Sequence, residues 1–247
     1  MTDIEKKNTV NKEENALSKT EVRILGTSHI AKQSLVQIRN EIKNNTPDIV
    51  AVELDKKRLA ALLSERQSRF SFYNMWKVGI KGYLFALLGS WGSKKLGKLV
   101  GAVPGQEMLE AINLAKKNKL DIALIDQDIE ITLRNFSKAL TWKEKWRFVK
   151  EIFRAVFRRK EVEKELGIDA KSFDLTKVPS AELIKKLTGL MKEKYPNIYH
   201  VLVYERNVYM AKNIIHLIKY NKDKKILVIV GAGHVEGIVE LLNKRST

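Results

Sequence analysis

Two stretches at opposite ends of the chain share one pattern. VRILGTSHI (22–30) and LVIVGAGHV (227–235) each read as an apolar run, a glycine, two small residues and a histidine. Imidazole ligates divalent metal ions and exchanges protons near neutral pH. Between these stretches a third apolar run, DIVAVELD (48–55), ends in Glu53 and Asp55. If the three runs are strands of one sheet, His29, Glu53 and His234 converge at its carboxyl end, where such sheets bind ligands. Two histidines and a carboxylate are the donor set of a hydrolytic metal site with an open position for water. In that reading His29 and His234 hold the ion, and Glu53 is a third ligand or the base that activates the water. With no thiolate available, Mn, Co or Zn suits such donors. Gly26 and Gly231 are expected to permit tight turns after the strands. Each histidine then stands at a helix start, where free N–H groups favour anions. The bland alternatives are a helix cap or core role for each histidine, and pairing of Glu53 with Lys57 or Arg58.

A nucleotide-binding alternative comes from Gly231-Ala232-Gly233-His234-Val235-Glu236-Gly237, which has glycines spaced somewhat like a dinucleotide loop. The chain given ends at Thr247, leaving no room for the second strand and its ribose-binding acid about 20 residues later. A simple phosphate cradle is what survives of that reading.

The elements that must position these residues follow from hydrophobic periodicity. Strands are expected at Val22–Gly26, Asp48–Leu54, Asp121–Ile125 and Lys225–Val230. Helices are expected at Ile30–Asn44, about 55–68, Gln106–Asn118, 129–160, 180–192, Asn197–Tyr220 and His234–Asn243. Strands alternating with helices imply an α/β fold, a mixed central sheet built from βαβ units. Helical insertions at about 68–105 and 138–195 enlarge one domain spanning 21–247. Residues 1–20 are polar and without period, and are expected to form a disordered arm.

The chain has 247 residues, no cysteine, and 46 Lys and Arg against 29 Asp and Glu, a net charge of +17. The absence of cysteine excludes a disulfide scaffold, a Cys-ligated metal centre and a thiol nucleophile. The basic balance favours polyanionic partners. No nucleic-acid-binding motif or stacking platform accompanies it, so nucleic acid ranks last among them. Trp76–Trp91 is apolar but short of the roughly 20 residues that span a bilayer. Residues 138–160 carry nine Lys and Arg against two Glu. Trp142, Trp146, Val149 and Phe153 recur there on one helical face, as in a helix that lies on anionic membrane. The alternative is a core-facing helix with solvated cations. No signal-peptide core is present at residues 1–20, so the expected location is the cytoplasm or the membrane periphery. The expected partners are a peptide or protein substrate, and self-association is left open.

GTSH (26–29), PDIVAVELDKKR (47–58), PGQEMLEAI (104–112), ALIDQDIEITL (123–133), YERNVYMA (204–211) and IVGAGHVEGI (229–238) occur in this order along the chain. Together they resemble the TraB/PrgY family, known from bacterial pheromone-shutdown proteins, widespread in archaea and related to Tiki metalloproteases and the erythromycin-esterase/ChaN-like group. The resemblance implies a metal-dependent peptidase-like hydrolase with His29, Glu53 and His234 as metal and catalytic residues. It also implies supporting or substrate-carboxylate contacts from Arg58, Glu205 and Arg206. Many archaeal relatives continue into a membrane-embedded region, so the chain reads as a short member or a soluble fragment. A non-catalytic peptide-binding or membrane-associated scaffold is the other reading. Two departures stand out: the family commonly has Asp-Arg-Asp at 126–128 and Glu-Arg-Asp at 205–207, where this chain has Gln127 and Asn207. The paired change predicts that Gln127 and Asn207 face each other, an amide–amide hydrogen bond replacing an ion pair.

Overall fold

The computed structural model describes residues 20–27, 32–63, 105–139, 141, 144 and 181–244. The expected arm up to residue 19, the Trp76–Trp91 stretch, His29, and most of the insertions and of the basic segment lie outside them. Four strands, β1 (Val22–Thr27), β2 (Ile49–Val52), β3 (Asp121–Leu124) and β4 (Ile226–Gly231), form a sheet in the order β1-β4-β2-β3. Every pairing among them is parallel, where the sequence analysis expects a mixed sheet. β4 lies between β1 and β2, so the first βαβ unit leaves a gap that the last strand fills.

The described helices are α1 (Lys32–Asn45), α2 (Lys56–Leu63), α3 (Gln106–Lys117), α4 (Ile129–Ala139), α5 (Ala181–Lys194), α6 (Pro196–Tyr199), α7 (Glu205–Tyr220) and α8 (Ala232–Asn243). The central strands are apolar throughout because both their faces are covered. On one face Val50, Val52, Leu227 and Ile229 pack with Ile38 and Ile42 of α1 and with Met108 and Ile112 of α3. On the other, Ile49, Ala51, Ile226, Val228 and Val230 pack with Met210, Ile214 and Ile218 of α7 and with Ile238 of α8.

This layering follows from strand order. From β1 to β2 to β3 the chain moves one way across the sheet, and from β3 to β4 it moves back. Right-handed crossovers place helices of opposite travel on opposite faces. Adjacent strands β2 and β4 therefore lead into helices on opposite faces: α2, whose Leu59 and Leu62 join the first cluster, and α8 in the second. That divergence opens a crevice at the carboxyl end of the sheet.

Three expectations are corrected. The helix expected over 129–160 ends at Ala139. Thr141 is not helical; its hydroxyl accepts from the Glu144 N–H (3.3 Å) while Glu144 Oε2 accepts from the Thr141 N–H (3.1 Å). This reciprocal pair is a capping box. The long helix expected over 197–220 is interrupted by a π-helical segment, His200–Tyr204. Finally, Gly231 has φ −58° and ψ 139°, so no unusual turn geometry requires glycine there. Gly26 is set by closeness instead, since a Cβ would come within 2.9 Å of Val235 Cγ2 and 3.3 Å of the Ala232 backbone.

Candidate functional site

Glu53 follows β2 directly, and its N–H donates to the Ile229 carbonyl of β4 (3.0 Å), extending the ladder by one step. Its side chain is 2% exposed. Oε2 accepts the N–H of Gly231 (2.5 Å), the residue preceding α8, so the carboxylate sits at the positive end of that helix. Oε1 accepts from Arg206 Nη2 of α7. A buried anion here is thus stabilised by a helix terminus and a cation together.

Arg206 is the centre of the arrangement. Its Nε donates to Asp126 Oδ1 (3.1 Å) and its Nη2 to Asp126 Oδ2 (2.6 Å), a two-point grip on the residue just beyond β3. Burial opposes the charge of the guanidinium, but Glu53 and Asp126 outweigh it and raise its pKa above the ordinary arginine value. Asp126 Oδ2 also accepts from Arg58 Nη1 of α2 (2.7 Å). Two carboxylates and two guanidiniums therefore alternate along one chain of contacts, which balances the buried charge.

His234, in the first turn of α8, completes the cluster. Its Nε2 lies 3.1 Å from Arg206 Nη1 and 3.5 Å from Glu53 Oε1, and its Nδ1 lies 2.6 Å from Asn207 Oδ1. A guanidinium can only donate, so Nε2 is the unprotonated nitrogen and Nδ1 carries the hydrogen toward Asn207. That assignment makes His234 a neutral imidazole whose one lone pair accepts from Arg206 Nη1, with Glu53 Oε1 close by. Asn207 reaches it because residue 237 is glycine; a Cβ at Gly237 would come within 2.3 Å of Asn207 Nδ2.

The π segment helps deliver these α7 side chains. π-helical turns leave the regular hydrogen-bond ladder and recur at functional sites. Here the Leu202 carbonyl accepts from Arg206 Nη1 (3.3 Å). Asn207 lies on the buried face of α7 with Met210, Ala211, Ile214 and Ile218, and Arg206 is its neighbour at the start of the helix.

Of the residues expected at the site, Glu53, His234, Arg206 and Arg58 are brought together, with Gly231 donating its N–H. Glu205 is directed elsewhere: its carboxylate accepts from Asn135 Nδ2 (2.9 Å) and lies 3.5 Å from His200 Nε2. Asp55 caps α2, its Oδ1 accepting the N–H groups of Lys57 (2.8 Å) and Arg58 (3.0 Å). Lys57 pairs with Asp128 (2.9 Å) and Glu130 (2.8 Å), so it is not the partner of Glu53. At the end of β1, Thr27 is in register with Gly231 and its hydroxyl donates to the Val230 carbonyl (3.3 Å). His29 comes two residues later in the sequence, outside the described residues. Among the described residues, no group of three or more His, Asp or Glu is placed to hold a metal ion.

The expected contact between Gln127 and Asn207 is overturned. Gln127 Nε2 donates to Thr132 Oγ1 (3.1 Å), whereas Asn207 turns its oxygen to His234. The two amides have separate partners because one supports the start of α4 and the other the imidazole. Asp126 is not expected at the site from the sequence, Asn207 is expected against Gln127 rather than His234, and Arg206 is reached only through the family resemblance. The only signal for Asp126 in the sequence is its place at the end of an apolar run, within a stretch that resembles the family.

Comparison with known proteins supplies the remaining information. The sequence profile of the TraB/PrgY/gumN family matches residues 14–246. An uncharacterised protein of Methanocaldococcus jannaschii is 37% identical over 232 residues, covering 93% of this chain and 55% of that protein. TraB domain-containing proteins of Mus musculus and Homo sapiens are each 23% identical over 241 residues, covering 88% of this chain and 61% of theirs. The chain thus spans little more than half the length of these relatives. With the profile covering nearly all of its residues, the chain belongs to the TraB/PrgY/gumN family.

Proposed function

We propose that this protein is a hydrolase of peptide or related acyl bonds that works with a divalent metal ion held by Glu53 and His234, with His29 as third donor. The observation that carries the reading is the pair itself. An unprotonated imidazole nitrogen and a carboxylate oxygen stand 3.5 Å apart at the sheet's switch point, a separation that two donors to one ion can adopt. The second nitrogen of His234 donates to Asn207 Oδ1, as metal-bound histidines regularly do to an outer partner. These donors fit Mn, Co or Zn. When bound, such an ion polarises a carbonyl and lowers the pKa of a coordinated water.

The protein's own groups then have defined tasks. Glu53 would give its carboxylate to the ion as a donor, and the near-complete burial of the residue keeps bulk solvent from competing for it. Asn207 holds His234 in the productive tautomer. Arg58, whose side chain is 31% exposed and gives one nitrogen to Asp126, turns its remaining donors toward a substrate carboxylate or carbonyl. Peptide hydrolysis that requires added Mn, Co or Zn, and that is lost in His234→Ala and Glu53→Gln at unchanged folding, is the expected result. Metal-independent turnover, or full activity in either variant, counts against it.

A second reading rests on a specific observation: both oxygens of Glu53 already have partners, in Arg206 and Gly231. That is also the pattern of a purely architectural ion-pair network, and it suits a peptide-binding or membrane-associated scaffold without catalysis. Equal peptide capture, without cleavage, by the native protein and His29→Ala favours the scaffold.

A further inference from the structure

Independently of the chemistry proposed above, we infer that the solvent face of α7 docks on an anionic lipid surface. Helix α7 packs on the sheet through Asn207, Met210, Ala211, Ile214 and Ile218. At 3.6 residues per turn, Tyr209, Lys212, His216, Lys219 and Tyr220 fall on its other side, within an arc of about 100°. All five are exposed. Among the described residues the exposed tyrosines are Tyr204 (46%), Tyr209 (41%) and Tyr220 (67%), all on this one stretch of chain. The solvent side of an amphipathic helix is ordinarily charged and polar, so rings gathered there and interleaved with lysines mark a contact surface. The His216 and Tyr220 ring centroids lie 4.3 Å apart, which holds Tyr220 in place on its own helix.

Charge selects the occupant. The one acid of α7 is Glu205, whose carboxylate accepts from Asn135 and lies near His200. On the neighbouring α8, Glu236 pairs with Lys185 of α5 (3.1 Å). That leaves Glu240 outnumbered by Lys212, Lys219 and, in the turn beyond α7, Lys222. A second copy of the chain would set like charges against each other across this face, which is costly. Single-stranded nucleic acid is held in basic grooves, whereas this face is the outside of one helix. Anionic lipid fits both halves of the pattern. Tyrosine rings settle at headgroup level, apolar at one end and wet at the other, and each lysine near the headgroups adds attraction.

Sedimentation of the full chain with vesicles of phosphatidylcholine and phosphatidylserine tests this. Each lysine at such a surface is worth roughly a fivefold change in affinity. Lys212→Glu combined with Lys219→Glu is therefore expected to weaken vesicle binding at least about tenfold. The pair Lys43→Glu and Lys116→Glu changes the net charge equally, on α1 and α3, which cover the opposite face of the sheet. It is expected to weaken binding clearly less. Equal losses from the two pairs mean that net charge alone is at work, and they overturn the inference.

The rings supply a second measurement that does not alter charge. Tyr209→Ser combined with Tyr220→Ser is expected to weaken vesicle binding several-fold while its salt dependence stays that of the native protein, since screening acts on the lysines. All of these side chains are exposed, so each variant is expected to keep the native circular dichroism spectrum. Native-strength vesicle binding by either α7 variant overturns the inference. So does a native protein that ignores the vesicles and binds a single-stranded oligonucleotide through these same residues.

Discussion

At the scale of single residues, the site is a problem in buried charge. Glu53 and Asp126 are 2% and 1% exposed at their side chains and share one guanidinium. Removing one partner of such a pair costs about 3–5 kcal/mol, so Asp126→Ala is expected to lower the free energy of unfolding by that order in urea denaturation. A loss below about 1 kcal/mol, the range of exposed pairs, contradicts the picture. Gly237 offers a finer test. Gly237→Ala pushes a methyl group onto Asn207 Nδ2 and should displace the acceptor that holds His234. Loss of an outer partner of this kind lowers metal affinity about 10–100-fold, with a smaller change in stability. The sequence shows the charged residues as separate motifs, and Glu53 and His234 are legible there because they end matching runs. Their partner Arg206 is legible only through the family resemblance, since 153 positions separate it from Glu53 and nothing local marks an arginine as buried. Asn207 reads as a lost carboxylate until His234 is seen beside it.

At the scale of elements, what could be read from the sequence depends on periodicity. The four strands are runs of β-branched and aliphatic residues, and each appears within two residues of its expected bounds at either end. The π segment His200–Tyr204 was not legible, because an extra backbone residue leaves the apolar spacing of HVLVY compatible with an ordinary helix. The break before Thr141 was legible in principle as a Thr-x-x-Glu signature, but the aromatic spacing beyond it ran across the break. Glu144 also reaches α6, accepting from Asn197 Nδ2 (2.9 Å) and from the Asn197 N–H (3.3 Å). Burial opposes its charge, while the hydrogen bonds from Asn197 and Thr141 outweigh burial and hold the carboxyl below its ordinary value of 4.5. A group whose pKa is depressed on folding contributes stability above its unfolded pKa and loses it as pH falls through the folded one. Glu144→Gln is therefore expected to cost about 1 kcal/mol at pH 7 and progressively less below pH 4.5. A cost independent of pH from 7 down to 3 speaks against the charged network. In the core, Ile229 is 0% exposed, and Ile229→Ala should cost about 2–5 kcal/mol.

At the scale of the whole molecule, strand order creates the site. β4 enters last and lodges between β1 and β2, which brings the end of the chain's final apolar run beside Glu53. The α/β class is visible in the alternation of elements, but the insertion of β4 is a non-local choice that no window of sequence reports. Charge at this scale makes a separate prediction. The net +17 and the basic residues 138–160 are proposed to favour anionic membrane. Sedimentation with liposomes should show binding that requires anionic lipid and weakens from low to high salt, as screened attraction does. Binding to neutral liposomes alone contradicts that proposal.

The central claim is that one divalent ion is shared by an imidazole and a carboxylate where β2 and β4 diverge. Calorimetric titration of the full chain with Zn and Mn, alongside His234→Ala and Glu53→Gln, tests it most directly. The account predicts one saturable site per chain, lost in both variants while the circular dichroism spectrum stays native. Binding that persists undiminished in both variants, or no saturable binding to the native protein, contradicts it.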